Sequence, residues 1–181
     1  NGLHLMASTA WENAAIAHAI LFQKLSKEPI RLHYKIPPVN LLHVKKLTTA
    51  FGIIQFSHIN HPDMASGYTL DDNARALIAM CRYYELTADE GVLDYITIYL
   101  QFIDYCKQPG GKFLNYVNEE GHFSLQNGGT NLADSNGRTV WALGYMLSLK
   151  HLFPYKMIHM AERLLQEALV IVTDVYSTRA M

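Results

Sequence analysis

The sequence predicts an all-α chain built of helical hairpins with one small β-hairpin insertion. Three observations predict it. Apolar residues recur at helical spacing in stretch after stretch, the stretches are cut by Pro and Gly clusters, and two helix starts align over nine residues with Asp, Asn, Arg and a final Ala in common.

Thr9-Ala-Trp-Glu12 reads as a capping box, with Trp11, Ala15, Ile16, Ala19, Ile20 and Leu25 on one face of the helix behind it. That helix fades by Ser26-Lys-Glu-Pro29. Residues 29–39 read as an extended linker, since Pro37-Pro38 forbids helix there and disfavours it just before. A second helix is expected from about Asn40 to Phe51, with Leu41, Val44, Leu47 and Phe51 in register, followed by an irregular stretch from Gly52 to Gly67. Thr69-Leu-Asp-Asp72 is the clearest helix start in the chain, and Leu70, Ala74, Leu77, Ile78, Cys81 and Tyr84 form its apolar stripe. Val92 to Cys106 is apolar on nearly every side, as in a helix packed on more than one face, and Pro109-Gly-Gly111 stops it. Phe113–Val117 and His122–Leu125 predict a hairpin turning near Gly121; Gln126 to Asn131 reads as a loop. Helices from about Ser135 to Leu152 and from Tyr155 to Tyr176 complete the series, the last with Ile158, Ala161, Leu165, Ala168, Leu169, Val172 and Val175 in register.

The composition narrows the function. The chain has 181 residues, 50% of them hydrophobic, enough to build one core without disulfides or metals. A formal net charge of -1 and no basic run longer than Lys45-Lys46 argue against a nucleic-acid partner. No apolar run reaches the roughly 20 residues of a membrane span, and Asn1 to Ser8 has no signal-peptide pattern. Cys81 and Cys106 fall inside apolar helical patterns and read as free thiols of a reducing compartment, so a cytoplasmic location is expected. His58-Ile-Asn-His61 with Asp63 lacks the ligand count and frame of a zinc site, and no cofactor motif is present: neither metal nor cofactor is expected. Tyr83, Tyr84, Tyr95, Tyr99 and Tyr105 read as packing between helices.

The repeat carries the functional reading. Asp71-Asp-Asn-Ala-Arg-Ala-Leu-Ile-Ala79 aligns without gaps to Asp134-Ser-Asn-Gly-Arg-Thr-Val-Trp-Ala142. Ser177-Thr-Arg-Ala-Met181 resembles the start of a third copy with no helix behind it, which predicts a truncated domain. Repeated hairpins stack because one alone cannot bury its apolar face, either as a straight solenoid or as a ring, the α/α toroid. In a ring the inner-helix starts converge on one rim. Tyr68, Asp71, Asp72, Asn73, Arg75, Asp134, Asn136, Arg138 and Trp141 are then the sugar-binding residues: carboxylates and guanidinium groups offer hydrogen-bond forks, and aromatic faces such as Tyr68, Tyr116 and Trp141 offer stacking surfaces. The plain alternative makes the acids helix caps and first-turn ion pairs with Arg75, Asp72 above all.

Gly67-Tyr-Thr-Leu-Asp-Asp-Asn-Ala-Arg-Ala-Leu77 and Asp134-Ser-Asn-Gly-Arg-Thr-Val-Trp-Ala-Leu-Gly144 resemble motifs of a bacterial carbohydrate-active family, as do Gly52-Ile-Ile-Gln-Phe-Ser and Ser177-Thr-Arg-Ala-Met. In that family an α/α-toroid domain, related to six-hairpin glycosidases, follows a glycosyltransferase with two Rossmann-like domains. The resemblance implies that residues 1–28 are the closing helix of a preceding glycosyltransferase domain, that 29–39 are a linker, and that 40–181 are a partial α/α toroid. It implies a sugar acceptor or glycan as ligand and the remainder of the transferase as partner. The strands and glycine-rich turn of a nucleotide-sugar site are lacking, so no sugar transfer is expected of these residues alone. Asp71 and Asp134 are the only motif-borne candidates for hydrolysis, and the Arg one turn beyond each is expected to keep it ionised, as a base or nucleophile. A non-enzymatic protein-binding scaffold is the competing reading. Truncation also predicts self-association along the last helix near Ile171 and Val175.

Overall fold

A computed structural model describes residues 11–26 and 37–172. The chain divides into two units, residues 1–39 and residues 40–181. The first contributes one described helix, α1 (Trp11–Ser26), in which the His18 ring nitrogen Nδ1 lies 2.7 Å from the Ala14 carbonyl. Thr9, the expected cap of this helix, and residues 29–36 of the expected linker lie outside the described residues.

The second unit is mainly α-helical. In chain order it holds α2 (Leu42–Leu47), β1 (Ser57–His58), β2 (His61–Pro62), β3 (Tyr68–Thr69), α3 (Leu70–Thr87), α4 (Leu93–Cys106), β4 (Tyr116–Val117), α5 (Gln126–Gly129), α6 (Ala133–Ser148) and α7 (Tyr155–Val172). Short 3-10 turns at Met64–Ser66, Glu90–Val92 and Lys150–Leu152 lead into or out of the longer helices.

Two hairpins, α3–α4 and α6–α7, form the body. Asp71 at the start of α3 meets Arg138 of α6, and three turns on Arg82 and Glu85 meet Tyr145. Helices α3 and α6 therefore lie side by side and run in the same direction. Asp104 and Lys107, at the end of α4, pair with Arg163 and Glu167 of α7, which sets the two second helices side by side as well. Leu77, Met80, Cys81, Ile96, Tyr99, Leu100, Ile103, Leu143, Met146, Ala161 and Leu164 fill the space between these layers, and each is essentially inaccessible to solvent. Burial of this kind stabilises by roughly 1.5–3 kcal/mol per large side chain.

The sequence reading and the structure differ at several elements. The helix expected from Asn40 to Phe51 ends at Leu47. Thr48 is extended, with its hydroxyl donating back to the Val44 carbonyl and lying 2.7 Å from the Tyr99 hydroxyl, and Thr49 holds the following turn through its side chain. Threonine hydroxyls of this kind give the backbone an alternative to helix. The stretch from Gly52 to Gly67 contains a two-residue antiparallel hairpin, β1–β2, with no alternating pattern to announce it. The expected hairpin after Phe113 is present in reduced form: Val117 bridges Phe123, and Asn118 to Gly121 makes the turn. Its first strand finds its main partner elsewhere, since β4 pairs antiparallel with β3. Gln126 to Gly129, read as a loop, is the one-turn helix α5. It is held by Asn127, whose Oδ1 accepts from the backbone N–H groups of Asn115 and Tyr116. The last helix is described to Val172; Val175, Tyr176 and the expected third copy at 177–181 lie outside the described residues, as does the Ile171 side chain.

Candidate functional site

The start of α3 is fixed by local chemistry. Thr69 is extended, and its Oγ1 accepts from the Asp72 N–H at 3.2 Å and donates to Asp72 Oδ2 at 2.6 Å, so the aspartate holds the cap residue through its hydroxyl and not through its backbone N–H. The two N–H groups before it are satisfied from across the structure. Leu70 N donates to the Asn115 carbonyl and Asp71 N to Asn115 Oδ1. Gly67 precedes this start at φ +65°, where a Cβ would stand 2.3 Å from the Val117 carbonyl oxygen, so only glycine lets β3 and β4 close on each other.

The repeated Asn is a clamp. Asn73 is fully buried; its Oδ1 accepts from Ile53 N at 3.0 Å and its Nδ2 donates to the Thr69 carbonyl at 2.8 Å. Asn136 does the same in the second copy, accepting from Phe113 N at 2.9 Å and donating to the carbonyls of Phe113 and Leu132. The equivalence reaches further back than the helix starts. Ile54 N donates to the Leu47 carbonyl as Leu114 N donates to the Cys106 carbonyl, and Thr48–Ile53 and Lys107–Phe113 are matching bridges. Each copy therefore begins with the end of one helix, makes a tight turn, and is pinned by an Asn to the next helix. Gly52 serves the first clamp, since a Cβ there would stand 2.9 Å from Asn73 Oδ1.

Three residues assigned to the sugar rim are thus placed inside. Asn73 and Asn136 spend their amides on backbone, and Tyr68, 5% exposed, packs edge-on to Phe51 at 5.1 Å with its hydroxyl against Thr49. Tyr68 offers no stacking face to a ligand. The reason is tertiary: β4 and the Phe51–Phe102 pair cover the ring.

The structure brings the charged residues together. Arg75 Nη2 donates to Asp71 Oδ2 at 2.5 Å and to Asp72 Oδ1 at 2.8 Å. Arg138 lies between the copies, with Nη2 3.0 Å from Asp134 Oδ2 and Nε 2.6 Å from Asp71 Oδ1, the latter an ion-pair contact without hydrogen-bond alignment. The order Arg75–Asp71–Arg138–Asp134 alternates in sign along the two helix starts. Asp134 Oδ1 is buried and receives no hydrogen bond from the protein. Trp141, one turn beyond Arg138 on the same face of α6, is 53% exposed.

Burial is the largest influence on Asp71 and pushes its carboxyl above the usual carboxylate value, against the pull of Arg75 and Arg138; Asp72 and Asp134 add to the upward push. Arg75 and Arg138 favour the ionised form as expected, and desolvation outweighs them in the direction of the shift. Asp71 and Asp134 also share one guanidinium, which occupies the ground between them where a glycosidic bond would have to sit.

Among the described residues no group of three or more His, Cys, Asp or Glu is placed to hold a metal ion, and His58 pairs only loosely with Asp63 at 3.5 Å. No helix among them is long and apolar enough to cross a membrane. Cys81 and Cys106 are free and buried. Asn115, which anchors the start of α3, and Asn127, which holds the backbone of Asn115 and Tyr116, carry no signal in the sequence, since an Asn in a polar loop does not announce its partner. No protein family model matches the chain, and no curated protein matches it.

Proposed function

We propose that this chain is a carbohydrate-binding helical-repeat domain of a glycosyltransferase-type protein, its two hairpins forming part of an α/α toroid. A glycan or sugar acceptor is bound at the paired starts of α3 and α6. The observation that supports this most is the convergence of Asp71, Arg75, Asp134 and Arg138 beside the half-exposed Trp141, with about a third of the Asp134 side chain open to solvent. Vicinal hydroxyls both donate and accept, so they fit a row of alternating carboxylate and guanidinium groups, and the flat face of a sugar ring fits an indole. The exposed part of the Asp134 carboxylate accepts a hydroxyl hydrogen, and the exposed side of Arg75 donates in return. Binding without hydrolysis is the better reading, since Arg138 bridges the two carboxylates. The buried free thiols suit a reducing compartment such as the cytoplasm.

A protein-binding scaffold is the second reading. It is favoured by Ile59 and Leu125, which stand almost fully exposed in the segments leading to α3 and α6. Titration calorimetry of the chain with a panel of neutral and acidic mono- and oligosaccharides separates the two. Saturable binding that is lost in both Asp134→Asn and Trp141→Ala supports the carbohydrate reading. Absence of binding across the panel, or unchanged binding in both variants, overturns it.

A further inference from the structure

The polar rim does not stop at the helix starts. Along the seam of α3 and α6 a constant offset of 63 residues relates Asp71 to Asp134 and Arg82 to Tyr145. Because the two helices run in parallel, equivalent positions stay level with each other down their length. Arg82 lies with its guanidinium carbon 5.3 Å from the centre of the Tyr145 ring, and the Tyr145 hydroxyl stands 3.1 Å from Glu85 Oε2. Arg82 and Glu85 are exposed. This second cluster repeats the chemistry of the first: a cation, a carboxylate and an aromatic ring.

What lies between the clusters matters as much. On α6, Trp141 falls between Arg138 and Tyr145, one turn from each, and so stands on the face that those two residues turn toward α3. On α3 the exposed position between Arg75 and Arg82 is Ala79, whose side chain is too short to cover the indole. Gly144, also on α6, has open space where a side chain would project. From Asp71 to Arg82 the seam runs eleven residues of helix, roughly 16 Å, which is longer than one sugar ring.

We infer that the ligand is an extended oligosaccharide lying along the α3–α6 seam, with Trp141 as the central stacking platform and Arg82, Glu85 and Tyr145 as a distal subsite. This inference rests on the carbohydrate reading of the rim and adds the length and course of the ligand. A single sugar at the rim would leave Arg82, Glu85 and Tyr145 idle, whereas a chain of several units meets polar, aromatic and polar groups in turn. The exposed positions between the clusters carry one small residue and one indole, which suits a glycan better than an amphipathic peptide helix with its several apolar anchors.

The test is calorimetric titration of the 181-residue chain with linear gluco- and manno-oligosaccharides, from mono- to hexasaccharide, against the native protein, Arg82→Ala and Asp134→Asn. The expected result is affinity that climbs with chain length, with Arg82→Ala lowering it for the longer ligands by roughly tenfold, the scale of one aromatic or cation contact. Arg82→Ala leaves affinity for the shortest bound ligand unchanged and lowers the melting temperature by no more than about 3 °C, the scale of one exposed cation–π contact. Affinity that is flat with length and indifferent to Arg82→Ala, yet lost in Asp134→Asn, overturns the extended track and leaves the rim reading standing. Absence of binding at every length overturns both.

Discussion

Replacing Asn73 with Ala tests the amide clamp most directly. The side chain is fully buried and makes two backbone hydrogen bonds, to Ile53 N and to the Thr69 carbonyl. Each such bond contributes about 1 kcal/mol net, and a buried backbone group left without a partner costs about 1–3 kcal/mol more. The turn from Thr49 to Gly52 can relax and let water reach Ile53 N, so the low end of that penalty applies, and the sum is roughly 3 kcal/mol. For a domain of this size about 1 kcal/mol lowers the melting temperature by roughly 3 °C, which makes the expected fall about 9 °C. Asn136→Ala removes bonds to Phe113 N, Phe113 O and Leu132 O and should fall at least as far. Arg75→Ala is the control. Its ion pairs are nearly half exposed, so the change is expected below about 1 kcal/mol. Thermal and urea unfolding followed by circular dichroism read all three. If Asn73→Ala and Asn136→Ala both melt within about 2 °C of the native protein, the Asn residues are not clamps, and their place in both copies needs another cause.

Two further predictions concern groups that burial perturbs. Asp71 should titrate above the ordinary value of 3.8, and Arg138→Ala should raise its midpoint further, because Arg138 is one of the two charges that pull it down. Carboxyl-carbon NMR reads the midpoint; a fall on removing Arg138 would contradict the ion pair. The linkage sign follows: a carboxyl raised in the folded state favours folding fully below 3.8, and that contribution is lost as pH rises through the folded midpoint. Cys81 and Cys106 should resist a thiol reagent at pH 8 in the native protein and react in urea, since burial alone lifts Cys81 to about 12 and Cys106 further still. Rapid native-state labelling of either would show that the α3–α4 core opens easily.

Local chemistry made much of the fold legible. Thr69 and Asp72 announce the start of α3 because a cap is written within four residues, and the stripe from Leu70 to Cys81 has the helical period that its burial requires. The β1–β2 hairpin left no such trace, since His58-Ile-Asn-His61 lacks the turn glycine and Ile59 takes a left-handed φ of 57°. The charged rim was legible as a set, through the repeat of Asp and Arg at matched positions. What each member does was not.

The sequence by itself determined where the long helices begin, which faces are apolar, and that two copies of one start exist. Only the tertiary structure decided that Asn73, Asn136 and Tyr68 turn inward, and that Arg138 bridges two carboxylates from different copies. The reason is range. Caps and helical stripes are settled by residues three or four apart, whereas a buried amide takes its meaning from a backbone group 20 or 23 residues away, Ile53 for Asn73 and Phe113 for Asn136. An amide that clamps backbone and one that greets a sugar are the same residue in the sequence; the packing of α3 against α6 is what separates them.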